Sequence, residues 1–342
     1  MSIAKKHPLS LIALLLLSNL FSLVAPAVAL AQPVNIDAAK KEGKLVIYGT
    51  IIPPIMNVIQ KGFEEKYGIQ IDYWRADATK VVDRALTEWR IGKPNFDLVT
   101  SARGGIALLK QENVFAKYVP ATLQSVPPRF RDKDGQLTPW RTTPIGVLYN
   151  TDLVKSEETP KNLDDLLNPK WQGKIAIPDP SQHTSTAQFL WNLEKLKGER
   201  WLDFVKALGK LKPRLIDSFA PIPSNLVRGE ALLGITYVQY VVQQKGPLGY
   251  VPLDKYLSDP TDAALSAKAT NVNSAKLFIE YLGTPEAQKK IAETGEFVVA
   301  PGIYPPIKNA DKVAANMIFM DNPTEEQLKK LREEFRQIFY GQ

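Results

Sequence analysis

The chain has 342 residues, enough for two ordinary domains with a core each, and its 44% hydrophobic and 23% charged residues are those of a folded globular protein rather than a disordered one. It contains no cysteine, which excludes disulfides, thiol chemistry and a lipid-modified cysteine. The formal net charge of +7 is too small and too scattered to imply a nucleic-acid partner.

Lys5 and Lys6 precede an apolar run over residues 9–24, and Ala29-Leu30-Ala31 supplies the small residues that a signal peptidase reads. Residues 1–31 are therefore expected to be a cleaved secretion signal, with an exterior compartment such as the periplasm as destination. Removing them takes two Lys and no acid from 43 basic and 36 acidic side chains, which leaves a net charge of +5.

Beyond that point the chain alternates between strand and helix patterns. A polar lead-in with helical tendency ends at Gly43, and residues 44–48 form an apolar strand ending at Gly49-Thr50. Pro53-Pro54 suit the first turn of a helix whose apolar residues Ile55, Val58, Ile59 and Phe63 recur at helical spacing. Residues 69–74 read as a second strand and 78–91 as a second helix. Residues 96–99 read as a third strand, 100–103 as a turn and 104–112 as a third helix. Three strand and helix pairs in series specify a parallel sheet covered on both faces.

Residues 138–153 then hold a short apolar strand, 145–149, that stops at Asn150-Thr151-Asp152. The same alternation starts afresh after it, so this stretch is a candidate crossing between two lobes, with Arg141 and Thr142 at its entrance. In the second half, 174–177 is a strand ending at Pro178-Asp179-Pro180, and the polar run 181–186 opens a helix. Residues 214–217 read as a strand, 225–230 as a helix after a Pro-rich turn, and 231–235 as a buried strand. The Ala-rich segment 259–269 is expected to lead back to the first lobe. Helices follow at 274–282 and at 285–292 with Thr284 as N-cap, and Thr324 with Gln327 forms a capping box for the last one. The lobes are expected at 32–143 with 257–342, and at 144–256.

Ligands of parallel sheets sit beyond the carboxyl ends of the strands, and pockets favour domain interfaces. The strand ends and the crossing present Thr50, Ser101, Arg103, Arg141, Ser181, Thr184, Ser185, Ser218, Tyr237, Gln239 and Tyr240 as candidate ligand-binding residues. Spacing alone leaves the turn at Ser101 open between an anion-binding loop and an ordinary helix start, and Arg103 open between a ligand and a structural contact. Arg141 is read as a bidentate fork for an anion, against the alternative of a surface salt bridge.

The motifs KLVIYGT (44–50), FDLVTSARGG (96–105), GVLYNTDLV (146–154), NPKWQGKIAIPDP (168–180), GEALLGITYVQY (229–240) and AKLFIEYLGTPEAQKKIAETGEF (275–297) follow one another in the order seen in a known family. Over nearly the whole exported chain the sequence resembles the type 2 substrate-binding proteins of ABC importers, nearest to the ferric-iron-binding branch. The resemblance implies an α/β fold of two lobes, each a mainly parallel sheet flanked by helices, joined by two crossing segments. It also implies hinge closure on a small-molecule ligand, an inner-membrane permease as partner, a monomer, no cofactor and no nucleic acid.

Ferric members place two adjacent tyrosines where this chain has Gln239 and Tyr240, so one tyrosinate is missing, and no His follows the first strand. Tyr240, even with Tyr237, is a poor cage for a hard trivalent cation, and the expected ligand is an anion rather than ferric iron. The alternatives to import are an iron-binding protein, a periplasmic sensory protein, and a secreted enzyme. For the last, His183 is the only histidine after residue 31, and neither a Gly-x-Ser-x-Gly elbow nor a His and Cys metal site exists.

Overall fold

The computed structural model describes residues 1, 2 and 34–341, so the apolar run and cleavage site of the expected secretion signal lie outside the described residues. Gln32–Gln342 form one compact unit. Eleven strands among the described residues build one curled sheet: β1 Lys44–Gly49, β2 Gln70–Arg75, β3 Leu98–Ala102, β4 Thr138–Asn150, β5 Ile175–Pro178, β6 Arg214–Ile216, β7 Leu233–Tyr237, β8 Leu248–Tyr250, β9 Tyr256–Leu265, β10 Phe297–Val298 and β11 Met317–Phe319. Their order is β2-β1-β3-β9-β4-β7-β5-β6, with β8 and β10 on β4 and β11 on β9.

The first lobe holds β1 between parallel β2 and β3, as strand and helix pairs in series require. Its apolar strand faces meet the helices Pro53–Tyr67, Val272–Leu282 and Pro285–Glu293 on one side and Ala78–Arg90 on the other. The second lobe repeats the scheme with β5 parallel to β6 and β7, and its core includes Leu190, Phe204, Val205, Leu226 and Leu233.

The crossing expected at residues 145–149 is longer than the apolar run that marks it. β4 continues from Thr138, and its first half pairs with β9 while its second half pairs with β7. β9, read from sequence only as an Ala-rich return, is a fully buried strand antiparallel to both β3 and β4. Pairing with β4 along one edge and with β3 and β11 along the other overrides the polar composition of this segment, because the paired backbone groups are satisfied without water. β4 and β9 thus carry the chain between the lobes as neighbouring strands, not as loops.

Several boundaries differ from the expectation. Residues 100–102 are strand rather than turn, because Thr100, Ser101 and Ala102 pair with β9, and a 3-10 turn Arg103–Ile106 follows. The helix expected at 225–230 is Ile222–Val227, since Pro223 fits its first turn. The last helix, Glu325–Tyr340, starts at the capping box expected of Thr324 and Gln327. Its apolar side, Leu331 and Phe335, packs into the second lobe's core against the helices Thr184–Asn192 and Trp201–Lys210. The expectation that residues 257–342 belong wholly to the first lobe is corrected at this helix. The chain changes lobes a third time near Phe319, whose ring packs tilted against Phe130 with centroids 4.7 Å apart, while Met320 joins the second lobe's core.

Candidate functional site

The register of the first lobe brings three strand ends level. Gly49 is paired with Arg75 on one side and with Thr100 on the other, so Thr50, Arg75 and Ser101 emerge together. From the second lobe, Ser218 and Phe219 follow β6, Tyr237 ends β7, and Gln239 and Tyr240 follow it. All of these residues line one cavity of about 110 Å³ between the lobes, together with Arg141, His183, Ser185 and Glu296.

Of the residues expected from sequence, Thr50, Ser101, Arg141, Ser185, Ser218, Tyr237, Gln239 and Tyr240 meet there. Three do not. Arg103 turns away and donates two hydrogen bonds of 2.8 Å to the buried carboxylate of Asp262, with a third to the Phe130 carbonyl, so its fork is already filled. The buried Ser181 hydroxyl and amide both donate to Asp179 Oδ1. Thr184 Oγ1 accepts from Arg332 at 2.6 Å and faces a neighbouring cavity instead.

Arg141 does face the cavity, but it is not free. It forms a 2.5 Å ion pair with Glu296, which is 1% exposed, and its Nε donates to Thr261 Oγ1. The pair is poorly aligned for a hydrogen bond, and Glu296 Oε2 finds no other partner. The surface salt bridge considered for Arg141 is therefore a buried pair. Sequence offered no signal for it, because Glu296 lies 155 positions along the chain and reaches Arg141 only through the pairing of β10 with β4.

Arg75 was missed, although it ends a strand of the parallel sheet, where ligands gather. It is exposed and, among the described residues, has no ion-pair partner. Asp77, beside it, caps the helix Ala78–Arg90 through Lys80 N and is paired with Lys80. Across the cavity, the helix Thr184–Asn192 starts without a side-chain cap; the Thr186 and Ala187 amides donate to the His183 carbonyl, while those of Thr184 and Ser185 have no hydrogen bond among the described residues. Gln239 is 1% exposed, lines the cavity, and its Oε1 has no partner.

An aromatic wall runs along the second lobe's side. His183 meets Phe219 edge-on at 5.2 Å, Phe219 lies 4.6 Å from Tyr237, and Tyr237 lies 5.7 Å from Tyr240. Burial pushes both phenols above their ordinary value. Burial also pushes His183 down to about 4, so its ring is neutral, with Nδ1 at 2.8 Å from Thr186 Oγ1. Among the described residues no group of three or more His, Cys, Asp and Glu side chains could hold a metal ion.

Two lobes joined by strands around a polar interlobe cavity define a periplasmic-binding-protein fold. The profile of the bacterial extracellular solute-binding proteins matches residues 59–319, and the chain belongs to that family, the solute-capturing components of ABC transporters. A relative from Serratia marcescens, described as an Fe(3+)-binding periplasmic protein, is 21% identical over 287 residues, 78% of this chain and 81% of its own. Among solved structures, the periplasmic binding protein AfuA from Actinobacillus pleuropneumoniae, with fructose 6-phosphate bound, superimposes with a TM-score of 0.71 at 20% identity, covering 87% of this chain and 97% of its own. Iron-bound HitA from Pseudomonas aeruginosa gives a TM-score of 0.70 at 20% identity, covering 87% and 98%. The family implies a permease partner and a small-molecule ligand.

Proposed function

We propose that this solute-binding component captures a small organic oxyanion between its lobes. The observation that carries the reading is the convergence on one cavity of an unpaired guanidinium, Arg75, with hydroxyls from both lobes and the uncapped start of the helix Thr184–Asn192. Such a start attracts negative charge through its free amides and its dipole. Ser101, Ser185 and Ser218 add neutral donors around the same space, and the aromatic wall covers an apolar portion of the ligand.

Ferric iron fits less well. Two phenols held in their protonated form by burial stand beside Arg75 and Arg141, and both guanidiniums repel a trivalent cation. The likeness to both sugar-phosphate-bound and iron-bound structures is a likeness of fold and leaves the ligand to the cavity's chemistry. In this reading the protein acts in the periplasm as a monomer, makes and breaks no covalent bond, and hands its ligand to an inner-membrane permease.

A thermal-shift panel of phosphonates, phosphate esters, carboxylates, sugars, polyamines, thiamine and ferric citrate tests it. Saturation at about a hundredfold over Kd adds about 2.7 kcal/mol to stability. The shift is expected among the phosphonates, phosphate esters or carboxylates. Arg75→Ala should then weaken binding of the same compound by about 10- to 100-fold, the scale of a charged hydrogen bond, with the ligand-free melting point unchanged. A shift confined to cations or neutral sugars, or full affinity in Arg75→Ala, overturns the reading.

A further inference from the structure

Gln239 stands in the turn between β7 and the short helix Tyr240–Gln243, and it lines the interlobe cavity. It is 1% exposed, yet its Oε1 is buried without a donor and its Nε2 has no hydrogen bond among the described residues. Comparably buried amides that serve the fold are answered at both ends. Gln288 donates to the Trp140 and Leu282 carbonyls and accepts from Ala300 N, and Asn192 donates to the Gln188 and Asp321 carbonyls and accepts from Asp321 N. Gln188 and Gln243 also leave an oxygen without a donor, but their nitrogens are bonded. Of these five amides, Gln239 alone bonds with neither end, and it alone lines the ligand cavity.

Whatever fills the space beside this amide has to supply a polar partner, because a buried polar group left without one is destabilised. In the free protein that is the task of solvent. A ligand that expels the solvent must replace those bonds or lose affinity, and a methylene set against Gln239 replaces none of them.

The neighbours decide which polar group fits. Two carboxylates line the cavity: Glu296 is paired with Arg141 and accepts from Gln243 Nε2 at 2.8 Å, and Asp77 is committed to Lys80. Neither is left to neutralise a ligand ammonium, and Arg75 and Arg141 oppose one. A hydroxyl needs no counter-charge. Turning the Gln239 amide over changes nothing, since a hydroxyl donates to the oxygen or accepts from the nitrogen.

We propose that Gln239 determines specificity, selecting an oxyanion that bears a hydroxyl over the same anion without it. The hydroxyl meets the Gln239 amide, while the anionic end meets Arg75 and the free amides of the helix Thr184–Asn192, so this proposal rests on the oxyanion reading above. The ligand class narrows to hydroxylated carboxylates, phosphate esters and phosphonates. Rejecting the deoxy analogue requires no clash, because its hydrocarbon leaves the amide without a partner.

Titration calorimetry with matched pairs tests it: glycerate against propionate, glycerol 1-phosphate against propyl phosphate, 2-hydroxypropylphosphonate against propylphosphonate, and glycerol against 1-propanol as the neutral pair. In the parent protein the hydroxylated anion should bind about 10- to 100-fold more tightly than its deoxy partner. Gln239→Met keeps the side chain's length and removes both hydrogen-bonding atoms, so the two members should bind nearly equally, with the ligand-free melting point unchanged or raised. The ratio in the parent needs no variant, and Gln239→Leu repeats the comparison with a second apolar side chain. A Gln239-dependent preference confined to glycerol over 1-propanol upholds the hydroxyl site and overturns the oxyanion reading. Anions that bind without regard to the hydroxyl overturn the proposal and leave the oxyanion reading standing. Absence of binding by every hydroxylated compound, or a full preference retained in Gln239→Met, also overturns the proposal.

Discussion

Arg141 shows how a site residue can be placed well from sequence and still be misjudged in energy. Its position at the crossing made it a candidate for the cavity, and it lines the cavity. Read without Glu296, its removal should leave stability untouched. With Glu296 beneath it, 1% exposed, Arg141→Ala strands a buried carboxylate, and breaking such a pair costs about 3–5 kcal/mol. We expect urea unfolding of Arg141→Ala to show that loss and Arg141→Ala with Glu296→Gln to recover much of it. Equal stability of parent and single variant would mean that the pair contributes nothing. Arg75 is the better probe of ligand charge for the same reason, since nothing in the fold depends on it. Its place was readable from the strand-end rule. The contact between Glu296 and Arg141 was not, because it arises from an antiparallel pairing of segments far apart in the chain.

Among the elements, those with a strong local period were legible and those defined by partners were not. The helix Glu325–Tyr340 could be placed from its capping box and its apolar stripe, which fix where it begins and which side it buries. Which core that side enters is a tertiary choice, and the stripe carries no mark of it. β9 is the converse case: Ser258, Asp259, Thr261 and Asp262 hide a strand from any pattern of apolar residues, and pairing along both edges forms it. The docking of the last helix is measurable. Phe335 is fully buried in the second lobe's core, so Phe335→Ala should cost about 3–5 kcal/mol, while Glu333→Ala on the exposed side should leave the urea midpoint where it is. A Phe335→Ala protein with parental stability would place the helix outside that core.

At the scale of the whole molecule, two buried groups pull its acid stability in opposite directions. His183 is held neutral, down to about 4, so the unfolded chain binds more protons between about 4 and its ordinary value of about 6.5. Its contribution is present above that window and lost as pH falls through it. Asp259 is raised to about 7, so its contribution is present in acid and lost as pH rises. Melting curves across this range should be flatter for the parent than for either variant: His183→Gln should gain stability toward acid and Asp259→Asn should lose it. Parallel curves for the three proteins would remove both groups from the balance. The three passages between the lobes bear on the motion itself. β4, β9 and β11 lie side by side, β9 bonded to both others, so the lobes share a ribbon about 10 Å wide rather than a pair of strings. A ribbon of that breadth bends readily across its face and resists both swivelling and sliding. The jaw it carries has in effect one angle to set, and a single number between open and shut describes what the permease is offered.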